Sequence, residues 1–245
     1  MPEIEIIALE QGIFSVGPLK KFIPITEDEA ETSASPKTPT VRIRPFLIRI
    51  DGCTILLDTG LHQDQPFIVA ELEKHGVNVA DVDIILLSHL HKDHTGGIGT
   101  FIDDQFKPHF PQAKIYIQEQ EMEFARSQKD NPSYLQDQLA AIAKLPNTIL
   151  STDLKGTLTT SVRFETVGGH SPYHRAFWIE HTGETVFYGG DNLPTRGYLK
   201  YPVAYKNDYD GRLALELRKD WESQATAQHW KILLYHDKKI PMLEF

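Results

Sequence analysis

Ser88-His89-Leu90-His91-Lys92-Asp93-His94-Thr95-Gly96-Gly97 follows directly on the apolar run Ile84-Ile85-Leu86-Leu87, and its reading decides the fold. His89, His91, Asp93 and His94 fall within six positions. On a helix, spatial neighbours lie three or four residues apart, and on a strand every second residue shares a face. Neither element gathers all four groups at one point, so the stretch reads as a loop at the end of a buried strand. Imidazole and carboxylate offer a divalent metal nitrogen and oxygen ligands without redox chemistry of their own. Thr95 offers a cap, and Gly96-Gly97 two small residues where the chain turns onward. The plain alternative, a solvated histidine-rich turn, does not account for so many ligating groups after one apolar strand.

Further out, single ligating residues stand where other apolar runs end. His170 follows Gly168-Gly169 and is itself followed by Ser171-Pro172-Tyr173-His174, so His170 is the first choice there and His174 the reserve. Asp191 follows Gly189-Gly190, and His236 follows Leu233-Leu234-Tyr235. A carboxylate has two oxygens and can face two metals, which one imidazole nitrogen cannot. Asp58, in Leu56-Leu57-Asp58-Thr59-Gly60, ends an earlier strand. Each of these alone reads as a turn residue; their value lies in the set. His62, His75, His109, His181 and His229 have no such setting and read as surface or structural residues.

The intervening chain alternates strand and helix signals. Ile4 to Leu9, Ile13 to Val16, Val41 to Ile50 and Cys53 to Leu57 read as strands, with Asp51-Gly52 as a tight hairpin turn. Pro24 to Pro39 holds four acidic residues and three prolines without periodicity and is expected to be a mobile loop, either a solvated connection or a flap over a pocket. Phe67 to His75 reads as a helix, Ile98 to Ile102 as a short one, and Lys114 to Gln118 as a strand. Glu119 to Gln128 and Tyr134 to Leu145 are helical, parted by Asn131-Pro132. Leu158 to Val167 is β-like, and Arg175 to Glu180 with Thr185 to Tyr188 makes a hairpin about Thr182-Gly183. Leu213 to Ala227 has helical spacing, and Lys231 to Tyr235 reads as the last strand. Strands followed by helices, twice over, suggest two sheets face to face with helices outside, within a single domain over 1–245.

Composition narrows the function. The chain has 245 residues, 40% of them hydrophobic, enough for one sizeable core. Its formal charge is −9, which disfavours a nucleic-acid partner. No apolar run reaches the roughly 18 residues of a membrane span, and Met1 to Glu10 lacks a signal pattern, so a cytoplasmic protein with no membrane partner is expected. Its one cysteine, Cys53, rules out a thiolate-rich metal site.

The H-x-H-x-D-H stretch resembles the metal-binding loop of the metallo-β-lactamase superfamily, and His170, Asp191 and His236 stand in that family's order. The resemblance implies an α+β fold, the αββα sandwich. It assigns His89, His91 and His170 to one metal and Asp93, His94 and His236 to a second, with Asp191 between them. Asp58 takes the role of accepting hydrogen bonds from the ligand loop. Zinc is the expected metal, and manganese, iron or cobalt would accept the same set. Two cations about 3.5–4 Å apart draw the pKa of a shared water toward neutrality, which is hydrolytic chemistry, with Asp93 also placed to steer the proton.

Gly168 to His174, Asp191 to Thr195, Pro202 to Tyr205 and Tyr235 to Asp237 are similar to the branch of quorum-quenching N-acyl homoserine lactonases and methyl parathion hydrolase-like enzymes. That likeness runs from about Pro45 to Lys239. It implies opening of a lactone or ester, such as an N-acyl homoserine lactone, by a metal-bridging hydroxide. A thioesterase or glyoxalase-II-like hydrolase, or an organophosphate or aryl ester hydrolase, is the alternative; a nuclease or a non-catalytic metal sensor ranks behind them. One departure stands out: the branch carries a tyrosine three residues after the bridging aspartate, and here that position is Pro194. Tyr198 is the candidate to assist the leaving group, with a plain pocket-wall role as the alternative. The expected partner is a small-molecule substrate, and a homodimer is left open.

Overall fold

Leu47, Leu56, Ile85 and Ile115 are cross-strand partners in a row, and their neighbours Ile48, Ile55 and Ile84 form a second row. Successive side chains alternate faces, so a sheet apolar on both rows must be covered on both sides. The structure, a computed structural model, describes residues 4–32, 38–62 and 66–245. It has two six-stranded sheets. The first runs, in spatial order, Glu5–Ala8, Phe46–Ile50, Cys53–Leu57, Ile84–Leu86, Lys114–Gln118 and Thr148–Ser151. The second runs Lys155–Thr159, Val162–Thr166, Arg175–His181, Glu184–Tyr188, Lys231–Leu233 and Met242–Glu244.

One core fills the space between the sheets, with Ile48, Ile55 and Leu57 against Phe177, Ile179 and Val186. A second core lies outside the first sheet, where Leu56, Ile85 and Ile117 meet Ile68, Leu72, Met122 and Leu139 of the helices Phe67–Lys74, Glu119–Ser127 and Gln136–Ile142. The third puts Trp221 and Ala225 of helix Gly211–Gln228 on Trp178 and Phe187 of the second sheet and on Trp230, just before strand Lys231–Leu233. Asp210 caps that helix by accepting from the N–H groups of Arg212 and Leu213. The order of layers is the expected αββα sandwich.

The strand directions locate the site. Cys53–Leu57 runs parallel to Ile84–Leu86, and Glu184–Tyr188 runs parallel to Lys231–Leu233. Asp58, His89, Asp191 and His236 therefore all follow strand C-terminal ends. Close backbone approach holds the motif there: a Cβ at Gly97 would run into the Thr59 carbonyl, and one at Gly190 would come within 2.7 Å of His174 Nε2.

Several elements differ from the sequence reading. Val41 to Ile50 is not one strand: Thr40–Ile43 joins a separate three-stranded sheet with Gly12–Val16 and Phe22–Ile25, while Phe46–Ile50 enters the first large sheet. The break falls at Arg44-Pro45, where proline has no N–H to offer a ladder. Ile98 to Ile102, expected to be helical, contains strand Gly99–Ile102, paired with Gln105–Pro108. Asp103 and Asp104 turn that hairpin at positive φ, 49° and 59°. Within Pro24 to Pro39, the expected loop, the end of strand Phe22–Ile25 and the helix Glu27–Thr32 are formed, and residues 33–37 lie outside the described residues. Among the described residues no helix is long and apolar enough to cross a membrane.

Candidate metal centre

His89 and His91 follow strand Ile84–Leu86, His91 in extended backbone, and the chain then turns into a single helical turn, Lys92–Thr95, that carries Asp93 and His94. The expected loop is thus half extended and half helical. That change of geometry lets residues at mixed spacing converge. His91 Nδ1 lies 2.9 Å from His89 Nε2 and 3.2 Å from His170 Nε2. His236 Nε2 lies 3.6 Å from Asp93 Oδ2, and His94 Nε2 lies 3.9 Å from the same oxygen. Each cluster keeps its ligand atoms within 4.8 Å of one another.

Asp191 stands between the two. Its Oδ1 lies 3.2 Å from both His94 Nε2 and His236 Nε2, and its Oδ2 lies 3.4 Å from His170 Nε2 and 4.0 Å from His89 Nε2. One carboxylate oxygen faces each cluster.

Polar partners behind the cluster fix the imidazoles. Asp58 Oδ2 is 2.7 Å from His94 Nδ1 and accepts from the Ser88 hydroxyl at 2.7 Å and the Tyr188 hydroxyl at 2.5 Å. Its other oxygen accepts from the Ser88 N–H at 2.8 Å. His236 Nδ1 donates to the Arg42 carbonyl at 2.6 Å, and His170 Nδ1 pairs with Asp208 Oδ1 at 2.8 Å. In each case the remaining nitrogen is turned toward the cluster, the arrangement that orients metal-ligating histidines.

The electrostatics describe a site short of positive charge. Burial, reinforced by neighbouring imidazoles, holds His89 and His91 well below the ordinary histidine value, so both are neutral and free to ligate. Burial pulls His94 and His236 the same way, but the Asp191 carboxylate beside them overrides it and leaves both raised. Asp191 in turn is held well below the carboxylate range by His236 and His94 despite burial. Divalent cations supply neutralising charge at clusters of this kind, and their binding displaces protons from the ligands. His94 Nε2 and Asp191 Oδ1 are also buried without a hydrogen-bond partner. A donor set of imidazoles and carboxylates, with orphaned atoms aimed inward, fits divalent metal.

His174, the reserve, is not in either cluster. It stacks on His89 with ring centroids 5.1 Å apart, and its Nε2 accepts from the Asp191 N–H at 3.3 Å, so it supports the site from behind. Tyr198 lines the same cavity of about 1440 Å³ as His91, Asp93, His170, Asp191 and His236. Its ring stacks on Tyr205 at 4.1 Å, and the Arg218 guanidinium lies 5.1 Å away. Burial raises the Tyr198 phenol well above the ordinary tyrosine value, so it keeps its proton at neutral pH.

Sequence reasoning does not single out Asp208, which lies in an ordinary polar stretch, Asn207-Asp208-Tyr209-Asp210. Arg44 is equally hidden. It is buried, pairs with Glu10 and donates to the carbonyls of Leu234, Asp237 and Ile240, which ties the His236 turn to the first half of the chain.

Comparison with known proteins agrees with this geometry. The family model of the Metallo-beta-lactamase superfamily matches residues 43–236. The N-acyl homoserine lactonase AttM of Azorhizobium caulinodans is 32% identical over 123 residues, 45% of this chain and 41% of that protein. The chain thus matches less than half the length of the curated relatives found, 21% of one and 41% of the other. A probable metal-dependent hydrolase from Staphylococcus aureus superposes with a TM-score of 0.80 at 18% identity, covering 98% of this chain and 92% of that one. AidC, a dizinc quorum-quenching lactonase solved with a product, gives 0.76 at 24% identity, covering 98% and 90%.

Proposed function

The chain belongs to the metallo-beta-lactamase superfamily, and on that footing we propose that it is a dinuclear metal-dependent hydrolase that opens a lactone or ester. The observation that carries this reading is Asp191, one oxygen toward His94 and His236 and the other toward His170 and His89. A carboxylate buried between two ligand clusters is what a two-metal centre requires, and a single-metal site would leave one of its oxygens without purpose. When bound, such a pair of divalent ions, zinc foremost, supplies an acidified water and a Lewis acid for the scissile carbonyl.

The protein's own groups do the rest. His89, His91 and His170 hold one position; Asp93, His94 and His236 hold the other. Asp58, Asp208 and the Arg42 carbonyl keep the ring orientations. Asp93, which lines the cavity, is placed to orient the attacking water and take up its proton. Tyr198, protonated and across the same cavity, is placed to donate to the departing alkoxide, the work for which Pro194 has no group.

The test is metal content by elemental analysis together with rates on a lactone, an aryl ester and a glutathione thioester. Close to two metals per chain and turnover of the lactone or ester support the reading. A metal-replete protein that hydrolyses none of the three, or only the thioester, overturns it.

A further inference from the structure

Resting on the hydrolase reading above, we propose that the substrate carries an anionic group, carboxylate or phosphate, which Lys92 and Lys20 hold at the wall of the metal-site cavity.

Lys92 occupies the position between His91 and Asp93, the least expected place for a cation to be idle. Its backbone N–H donates to the Ser133 carbonyl at 2.8 Å, which fixes the stem, and its ammonium lies 5.7 Å from the Phe22 ring centroid. Among the described residues neither Lys92 nor Lys20 has an ion-pair partner, although ion pairs are common elsewhere in the chain. Both line the metal-site cavity. The carboxylate next to Lys92 in the chain, Asp93, belongs to a ligand cluster. Lys92 is half-buried and Lys20 exposed, so both can meet an anion that enters the cavity they line.

The backbone that presents Lys20 is strained. Leu19 and Lys20 are successive non-glycine residues at φ 56° and 53°, and Leu19 is 81% exposed. These two residues turn the hairpin between Gly12–Val16 and Phe22–Ile25, which the Gly17 N–H closes on the Lys21 carbonyl at 2.8 Å, and the turn places Lys20 at the cavity.

The cavity is rich in cations. Lys20, Lys92, Arg196, Lys200, Lys238 and Lys239 all line it, in a chain whose net charge is −9. Its carboxylates outside the metal clusters are Glu222, Asp208, which pairs with His170, and Asp237, which accepts from the backbone N–H groups of Arg196, Lys239 and Ile240 and lies 3.8 Å from the Arg196 guanidinium. At about 1440 Å³ the cavity exceeds the roughly 300–1,000 Å³ of an ordinary ligand pocket, leaving room for a charged group beyond the reacting carbonyl. An anion in that space would gain from both ammonium groups, which a purely apolar acyl tail would not.

The binding test uses adipate, hexanoate and 6-phosphohexanoate on the metal-loaded protein by titration calorimetry. All three offer a carboxylate to the metals, and two carry a second, distal anion. We expect adipate or 6-phosphohexanoate to bind at least about tenfold more tightly than hexanoate, as one well-placed charge contact allows. In the Lys20→Gln/Lys92→Gln double variant, with metal content checked, that ratio should fall toward one; added salt should lower it in the parent. Equal affinity for all three, or a preference that survives both substitutions, overturns the proposal. In parallel, kcat/KM is compared for esters with one leaving group and either a methyl or a carboxylate terminus. No turnover of either, with the binding preference intact, removes the hydrolase reading and leaves the anion site; faster turnover of the methyl ester removes the anion site and leaves the hydrolase.

Discussion

The carboxylate of Asp58 and the imidazole of His94 meet at 2.7 Å, both fully buried, while the Ser88 and Tyr188 hydroxyls donate to the same Asp58 oxygen. Asp58 thereby joins the strand that delivers the motif to the ligand at its far end. Its backbone sits at φ 55°, a conformation asparagine tolerates, so Asp58→Asn should keep the fold. It should weaken metal binding about 10–100-fold, the usual effect of removing a carboxylate behind a ligating histidine. Competition with a chromophoric chelator measures this; unchanged affinity at both positions would remove Asp58 from the metal centre.

His170 and His174 separate the proposed ligand from the proposed support. His170→Ala should bring metal content down toward one per chain and lower kcat/KM by at least about 100-fold. His174→Gln should keep two metals, since His174 only stacks on His89 and accepts from the Asp191 N–H. Elemental analysis of the two variants side by side decides it, and loss of metal from His174→Gln alone would reverse the assignment.

Metal should also stabilise the fold. The two proposed ligand clusters come together only in the folded chain, so divalent ions should bind it in preference to the unfolded chain. At a free metal concentration about a hundredfold above Kd, the gain is roughly 3 kcal/mol, or about 5–10 °C in Tm for a chain of this size. Scanning calorimetry with and without chelator reads it; identical Tm values would count against the site.

The sequence discloses the site more completely than the strands that carry it. His89, His91, Asp93 and His94 announce themselves by density, and His170, Asp191 and His236 by following apolar runs. Asp208 and Arg44 cannot be found that way, because each acts through contacts far along the chain, 38 residues to His170 and 190 or more to the carbonyls of the His236 turn. Gly99–Ile102 reads as a helix because a short apolar run carries no periodicity, and its pairing as a strand rests on the Asp103-Asp104 turn. Val41 to Ile50 reads as continuous because Arg44 is charged yet buried, held by Glu10 and three carbonyls that no local pattern reveals.

Tyr198→Phe addresses the departing group. If the phenol donates a proton to the alkoxide, its loss should cost about 10–100-fold in kcat for an ester with a poorly leaving alkoxide. It should cost little for a nitrophenyl ester, whose leaving group needs no proton. Metal content should stay at two, because Tyr198 is in neither ligand cluster. Equal losses on both esters would make Tyr198 a wall of the pocket.

Glu121 gives a pH dependence whose sign can be worked out. It lies buried at the start of helix Glu119–Ser127, where its Oε2 accepts from the Tyr173 N–H at 3.1 Å, linking that helix to the turn that carries His170. Burial pushes its carboxyl up from 4.5 to about 7, against the pull of that hydrogen bond. The folded protein therefore binds this proton more tightly than the unfolded chain does. Its contribution to stability is complete below about pH 4.5 and is lost as pH rises through about 7. Glu121→Gln keeps an acceptor for Tyr173 and cannot ionise. Relative to the parent, the variant should gain on the order of 3 kcal/mol between pH 4.5 and 7.5, because each tenfold difference in proton affinity between the folded and unfolded chain is worth about 1.4 kcal/mol. Urea unfolding of the chelator-treated protein across that range measures the difference without metal loss contributing to it. A difference that stays flat, or that shrinks as pH rises, would mean that Glu121 is ionised in the folded chain throughout.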